Sequence, residues 1–130
     1  MDTLKLNIDE NNRIFLAPQI YLNAVDGYCL MSGYSLVSNP VFFYRPVFDW
    51  IDAYHQHTKK DLLWDIRLSI INSASQKALI ALLKKLKEYL GQGLVSIINW
   101  YCSRSDIDLV EDIQDIASIS EMEVKVIYTS

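Results

Sequence analysis

The feature that most constrains the fold is the segment at residues 62–77, which runs from an apolar strand pattern into the start of a helix. Residues 61–71 are rich in apolar and β-branched side chains, in a run too continuous for a strand at a sheet edge. A helical pattern follows directly, with leucines at spacings of three and four over residues 78–90. The segment therefore predicts an α/β fold with the 61–71 strand near the centre of the sheet.

The same alternation extends along the rest of the chain. Helical stripes predict one helix from the cap Asn39 to His57 and two more over residues 75–90 and 106–118. Strand patterns cover residues 4–8, 19–23, 28–32, 95–101 and 123–128. Helices between strands imply right-handed crossovers and a mostly parallel sheet, whereas the turn at 24–27 predicts an antiparallel N-terminal hairpin. With no linker or repeat, residues 1–130 read as a single domain.

Two groups of residues do not fit these patterns. Asp65 and Arg67 interrupt the central strand, so we expect them to lie toward its ends or to pair with each other. Phe42, Phe43 and Trp50 do not all fit the apolar stripe of their helix, so at least one of them should be exposed. An exposed aromatic side chain commonly marks a partner surface; the alternative is that all three cover the N-terminal strands.

Charge and hydropathy exclude several kinds of partner. The chain of 130 residues has a formal net charge of −4 and a pI near 5.0, whereas nucleic acids and anionic membranes select basic patches. No apolar run reaches the ~18 residues of a membrane span, and the N-terminus lacks a signal-peptide layout. We therefore predict a cytoplasmic protein that binds neither nucleic acid nor membrane.

The sequence shows no pattern typical of a metal centre or an active site. Cys29 and Cys102 lie far apart in apolar runs, which favours buried free thiols. His55 and His57 lack a further ligand group, and histidines in a last helical turn commonly interact with the negative helix end. No nucleophile–base pair or Gly-rich nucleotide loop is recognisable. A binding protein without a cofactor is thus favoured over a small enzyme.

The serines at the start of the second helix allow two roles. Ser73 and Gln76 match a capping box, in which the Ser73 hydroxyl accepts a hydrogen bond from the backbone N–H three residues later. The same position offers unpaired N–H groups and the positive end of the helix dipole, which can hold a phosphate as a ligand or on a serine. The local pattern leaves both roles open.

Three segments together resemble the SiaC-type bacterial regulatory phosphoproteins. Residues 39–51 resemble the family's Asn-x-x-x-Phe-Tyr-x-Pro-x-x-x-Trp-Leu helix, and residues 72–77 resemble its Asn-Thr-Ser-Ser-x-Lys junction. Trp100 and Tyr101, before an acidic helix, resemble its Trp-Tyr pair. The resemblance covers the chain from about Gly33 onward. It implies a fold similar to the STAS domains of anti-anti-sigma factors, a mixed, mostly parallel sheet with helices packed on it.

The resemblance implies a partner-switching protein. In the family, the residue after the junction Asn is phosphorylated by a dedicated Ser/Thr kinase and dephosphorylated by a PP2C-type phosphatase. The unphosphorylated form binds and activates a diguanylate cyclase, which promotes biofilm formation. The acceptor falls on Ser73, where the family has threonine, with Ser75 in reserve. Asn72, Ser73, Ser75 and Lys77 become the expected partner contacts. Ala74 departs from the motif, and a STAS-type anti-anti-sigma factor that binds an anti-sigma kinase is the alternative.

Overall fold

A computed structural model describes residues 1–129 as a six-stranded sheet with three helices. The elements are β1 (Leu4–Leu6), β2 (Gln19–Leu22), β3 (Tyr28–Ser35), α1 (Pro40–His57), β4 (Leu62–Ile71), α2 (Ser73–Leu90), β5 (Ser96–Cys102), α3 (Ile107–Ser120) and β6 (Lys125–Tyr128). The strands lie side by side in chain order. The first three pair antiparallel, whereas β3 to β6 pair parallel. The predicted α/β fold with an antiparallel N-terminal edge is confirmed.

The helices cover only one face of the sheet. Three successive crossovers run in the same direction along the sheet, and right-handed connections then place α1, α2 and α3 on the same side. Burial alternates along β4: Leu62, Trp64, Ile66 and Leu68 are buried, whereas the residues between them face outward. The central position predicted for β4 is confirmed, but its apolar run is buried on one face only.

The open face of the sheet explains the two charges within β4. Asp65 accepts a hydrogen bond from the Tyr28 hydroxyl at 2.8 Å, and the Arg67 guanidinium lies 3.9 Å from the centre of the Tyr101 ring. Both charges sit in the middle of the strand, and each has a partner on a neighbouring strand. The expectation that they would lie at the strand ends or pair with each other is wrong, because the uncovered face allows charge at mid-strand.

The helix boundaries follow local chemistry. The Asn39 side chain accepts a hydrogen bond from the Phe42 backbone N–H, and Pro40 occupies the first helical position, where a missing N–H costs nothing. Asp106 caps α3 in the same way, and Glu121 ends that helix in the left-handed conformation. Among residues 1–129, none of the helices combines the length and the apolar character needed to cross a membrane. Cys29 and Cys102 are buried free thiols, as predicted.

Candidate functional site

The junction between β4 and α2 is organised by Asn72. Its side-chain oxygen accepts a hydrogen bond from the Ser75 backbone N–H at 2.8 Å, which makes Asn72 the N-cap of α2. Its amide Nδ2 donates to the Val37 carbonyl at 3.2 Å, and its backbone N–H donates to the Ser35 carbonyl at 3.1 Å. Asn72 therefore caps the helix and also ties the junction to the loop that follows β3.

The capping box that Ser73 and Gln76 match in sequence does not form, because Asn72 is the N-cap of α2. Ser73 is the first residue of α2, one position after the cap, so its hydroxyl is not needed to close the helix end. The side chain is exposed, and no hydrogen bond engages its hydroxyl within residues 1–129. Asparagine is as favourable at an N-cap as serine, so local preference could not choose between Asn72 and Ser73. The choice required knowing at which residue the strand ends.

The other expected site residues divide into buried and exposed ones. Ser75 is fully buried, and its hydroxyl oxygen has no hydrogen-bond partner in the described part of the chain. A kinase cannot reach such a side chain in the folded protein, which argues against Ser75 as the reserve acceptor and as a partner contact. Lys77 is exposed and lies four residues after Ser73, on the same side of α2.

The chemistry available at this junction is that of an acceptor hydroxyl. No ionisable side chain occurs between Arg67 and Lys77, so neither flank of Ser73 supplies a general base. Across residues 1–129, no three His, Cys, Asp or Glu side chains meet in a group that could hold a metal ion. The exposed N–H groups of the first turn and the helix dipole favour an anionic group on Ser73.

A second polar cluster joins α1 to α2. The Asp52 carboxylate accepts hydrogen bonds from Lys85 Nζ at 2.7 Å and from the Tyr89 hydroxyl. Burial alone would raise the pKa of Asp52, but these two hydrogen bonds outweigh it and lower the pKa below its usual value. The His55 ring packs at a tilt against the Tyr89 ring, and His55 Nε2 is hydrogen-bonded to Gln92 Oε1 at 3.0 Å, so the cluster holds the two helices together.

The open face of the sheet carries a further perturbed group. Partial burial and the hydrogen bond to Asp65 raise the pKa of Tyr28 to about 12, which keeps its hydroxyl protonated as a donor. Asn99 Nδ2 also reaches Asp65, at 3.5 Å. Each group has a partner on an adjacent strand, so the cluster holds the parallel strands together.

The aromatic residues of α1 behave as predicted. Phe42 is 76% exposed, whereas Phe43 is half-buried and Trp50 is buried. At least one of the three is therefore exposed, and it lies in the first turn of its helix. Sequence reasoning overlooked the exposed residues Ile14, Phe15 and Leu16, which precede β2. Their signal was an apolar run without strand alternation, directly before Pro18.

Comparisons with known proteins agree with this geometry. The SiaC family of regulatory phosphoproteins matches residues 10–129. The structure of apo-SiaC from Pseudomonas aeruginosa has a TM-score of 0.83 at 21% sequence identity, over the full length of both chains. The structure of the diguanylate cyclase SiaD in complex with its activator SiaC, from the same organism, matches with a TM-score of 0.82 at 21% identity. That match covers 95% of this chain and 97% of the other.

A second SiaC structure from Pseudomonas aeruginosa has a TM-score of 0.79 at 22% identity, with 97% of this chain and 96% of the other covered. No curated protein sequence matches the chain significantly. The family match spans nearly the whole chain and includes the Asn72–Lys77 junction and the aromatic helix α1. The chain therefore belongs to the SiaC family of regulatory phosphoproteins.

Proposed function

We propose that this protein is a partner-switching regulator of cyclic di-GMP synthesis. Its unphosphorylated form binds and activates a diguanylate cyclase and thereby promotes biofilm formation. A cognate Ser/Thr kinase phosphorylates Ser73 and blocks this binding, and a PP2C-type phosphatase restores it. Family membership and the solved complex between a related SiaC and its cyclase support the proposal. Because the kinase needs ATP and the cyclase needs GTP, the proposal places the protein in the cytoplasm.

The observation that carries the proposal is the exposed hydroxyl of Ser73 beside an independent cap. Asn72 already satisfies the Ser75 N–H, so modification of Ser73 leaves the cap in place. A phosphate adds a charge of about −1.5 to −2 where the helix dipole and the free N–H groups stabilise an anion. The fold therefore tolerates the phosphorylated state.

A phosphate on Ser73 acts on the interface with the partner by weakening association. A partner packed over the first turn of α2 would meet a dianion and have to remove its hydration shell, which weakens association. Lys77, one turn further along α2, is within the reach typical of such a helical pair and is available to the phosphate or to the partner. The switch is thus a local change of charge that needs no large movement of the fold.

Among the expected partner-binding residues, Ser73 and Lys77 are available for contact. Asn72 and Ser75 support the turn from inside: Asn72 through its hydrogen bonds to Ser75 and Val37, and Ser75 through burial. We propose that the protein acts by binding and not by catalysis, since the flanks of Ser73 supply no general base.

The proposal is tested by assaying purified diguanylate cyclases of the source organism with variants of this protein. Ser73→Ala and Ser73→Asp are compared with wild type and with the control Ser118→Asp. Ser118 is exposed in the last turn of α3, so the control adds the same charge at the opposite end of the helical layer. We expect wild type, Ser73→Ala and Ser118→Asp to raise conversion of GTP to cyclic di-GMP, and Ser73→Asp to activate about tenfold less.

The kinase reaction provides the second readout. Incubation with the cognate kinase and ATP should place phosphate on Ser73 of the wild-type protein and none on the Ser73→Ala variant. A wild-type protein that activates none of the organism's diguanylate cyclases contradicts the proposal. Binding to an anti-sigma kinase in that case supports the anti-anti-sigma alternative.

A further inference from the structure

The strand β1 and the helix α1 enclose a groove at the edge of the sheet, with a volume of about 660 Å³. Its apolar lining comes from both elements: Leu4 and Leu6 on β1, and Phe42, Phe43, Pro46 and Trp50 on α1. The Trp50 Nε1–H donates to the Asp2 carbonyl at 3.2 Å, which holds the chain before β1 against the helix. The opposite side of α1 packs on α2 through Asp52 and Lys85, so neither Ser73 nor the rest of α2 lines this groove.

The backbone of Lys5 points toward the free edge of the sheet. The Asn23 N–H donates to the Tyr28 carbonyl of β3, and the adjacent residue Leu22 then faces β1, because backbone groups of successive strand residues point to alternate sides. Leu4 is paired with Leu22, so the N–H and C=O of Leu4 bond to β2 and those of the next residue, Lys5, point outward. Within residues 1–129, no strand pairs with β1 on that outer side. A free backbone donor and acceptor therefore lie directly beside the apolar groove.

A free strand edge next to an apolar groove fits a peptide in the extended conformation. The main chain of such a peptide can bond to the Lys5 backbone, and every second side chain then turns into the groove. The part of α1 that lines the groove, from Phe42 to Ala53, is about 16 Å long, which matches about five residues of extended chain. A lipid chain could fill the apolar part but would leave the Lys5 N–H and C=O without a partner, so the peptide is the better match.

The charges around the groove restrict the peptide further. The exposed side chain of Lys5 lies on the open face of the sheet, beside Tyr21, and forms no ion pair within residues 1–129. An acidic side chain of the peptide on that face would complement it. The groove itself is bordered by Asp2, Arg45 and Asp49, and the last two have opposite charges one helical turn apart. Asp2 therefore leaves one excess negative charge, which favours a basic residue at that end of the peptide.

A second copy of β1 is a poorer occupant than a peptide of this kind. Antiparallel pairing of two β1 strands about Lys5 would place the two Lys5 side chains directly opposite each other. Like charges at such positions are destabilising, and lysine on an edge strand commonly prevents pairing between identical edges. The charge at this edge therefore selects a different, acidic strand.

We propose that the groove between β1 and α1 binds an extended segment of another protein, which adds a seventh strand to the sheet beside β1. The segment has apolar side chains at alternate positions facing the groove and an acidic side chain beside Lys5. Because the groove contains no residue of the β4–α2 junction, it is available whether or not Ser73 is modified. This inference is independent of the proposed function.

The test begins with a phage-displayed library of random peptides of about ten residues, twice the length of the groove, selected on wild-type protein. We expect the selected peptides to carry apolar residues at alternate positions. Lys5→Pro removes the outward N–H, whereas its matched control, Lys5→Ala, loses the same charge and keeps the N–H. Phe42→Ser removes an apolar wall of the groove, and its matched control, Ile107→Ser, changes a 66% exposed residue in the first turn of α3.

Isothermal titration calorimetry with the selected peptides compares the two pairs of variants. We expect Kd to be at least about tenfold higher for Lys5→Pro than for Lys5→Ala, and for Phe42→Ser than for Ile107→Ser. Amide hydrogen exchange followed by NMR should show that a bound peptide slows exchange of the Lys5 N–H at least about tenfold. Unchanged thermal unfolding midpoints show that the variants are folded, and the Phe42→Ser pair decides the question if Lys5→Pro is not.

Three results would overturn the inference. The first is a selection that yields no binding peptide, and the second is peptides that bind each variant as tightly as its control and leave exchange of the Lys5 N–H unchanged. The third is a wild-type homodimer in sedimentation that Lys5→Pro converts to a monomer, because the groove is then an interface between two copies of this chain.

Discussion

The sharpest test of the junction is the Asn72→Ala substitution, which we expect to destabilise the protein by about 2 kcal/mol. Loss of the cap to the Ser75 N–H costs about 1 kcal/mol. Loss of the hydrogen bond to the Val37 carbonyl adds about 1 kcal/mol, because that bond ties the junction to the preceding loop. Urea unfolding followed by circular dichroism measures the change, as a midpoint about 1 M lower for a typical m-value.

Two further variants distinguish this explanation from the capping box. Ser73→Ala should change the free energy of unfolding by less than about 0.5 kcal/mol, since its exposed hydroxyl does not cap the helix. Asn72→Asp keeps the acceptor for the Ser75 N–H but cannot donate to Val37, so its cost should fall between the other two. A Ser73→Ala variant that loses more stability than Asn72→Ala would refute the assignment of the cap to Asn72.

Three other substitutions test the surrounding structure. Ser75→Ala should stabilise the protein by about 0.5–1 kcal/mol in urea unfolding, because it removes a buried hydroxyl without a partner, and mass spectrometry should still find the kinase's phosphate on Ser73. Asp52 has a lowered pKa in the folded state. Its contribution to the free energy of unfolding is therefore complete above its unfolded pKa of about 3.9 and is lost as the pH falls through the folded pKa. Unfolding measured against pH should therefore show Asp52→Asn less stable than wild type at pH 7 and the difference shrinking as the pH falls through the folded pKa of Asp52. Gly27→Ala should cost more than about 2 kcal/mol, since Gly27 has a φ of 74° and a Cβ there would lie 2.5 Å from the Asp61 carbonyl oxygen; equal thermal midpoints would contradict this.

Local sequence patterns were sufficient to predict the succession of elements. The cap and proline at the start of α1 and the leucine stripe of α2 depend on residues within a few positions of each other, as helix formation does. The alternation of helices and strands then led to parallel pairing and right-handed crossovers, because few other connections exist for such an order. The same local information located the strand-to-helix junction that carries Ser73.

Burial at the junction could not be read from the same patterns. Ser73 and Ser75 are two residues apart and chemically identical, yet one is exposed and the other is fully buried. The difference arises from the rotation of α2 on the sheet, which depends on where Asn72 starts the helix and on its hydrogen bonds to the loop after β3. A capping residue can be recognised locally, but the choice between two adjacent ones depends on such distant contacts.

The sequence by itself determined the order of the elements, the parallel pairing and the strand-to-helix junction that carries Ser73, because these follow from short-range preferences and chain connectivity. Only the tertiary structure decided that one face of the sheet stays open, so that Asp65 and Arg67 sit at mid-strand. It also joined the loop after β3 to the loop before β2 and to the β4–α2 junction, through the Leu36–Leu16 and Asn72–Val37 hydrogen bonds, although these segments are far apart in the chain. Such proximity depends on which strands pair and in which register, and these long-range contacts leave no local trace in the sequence.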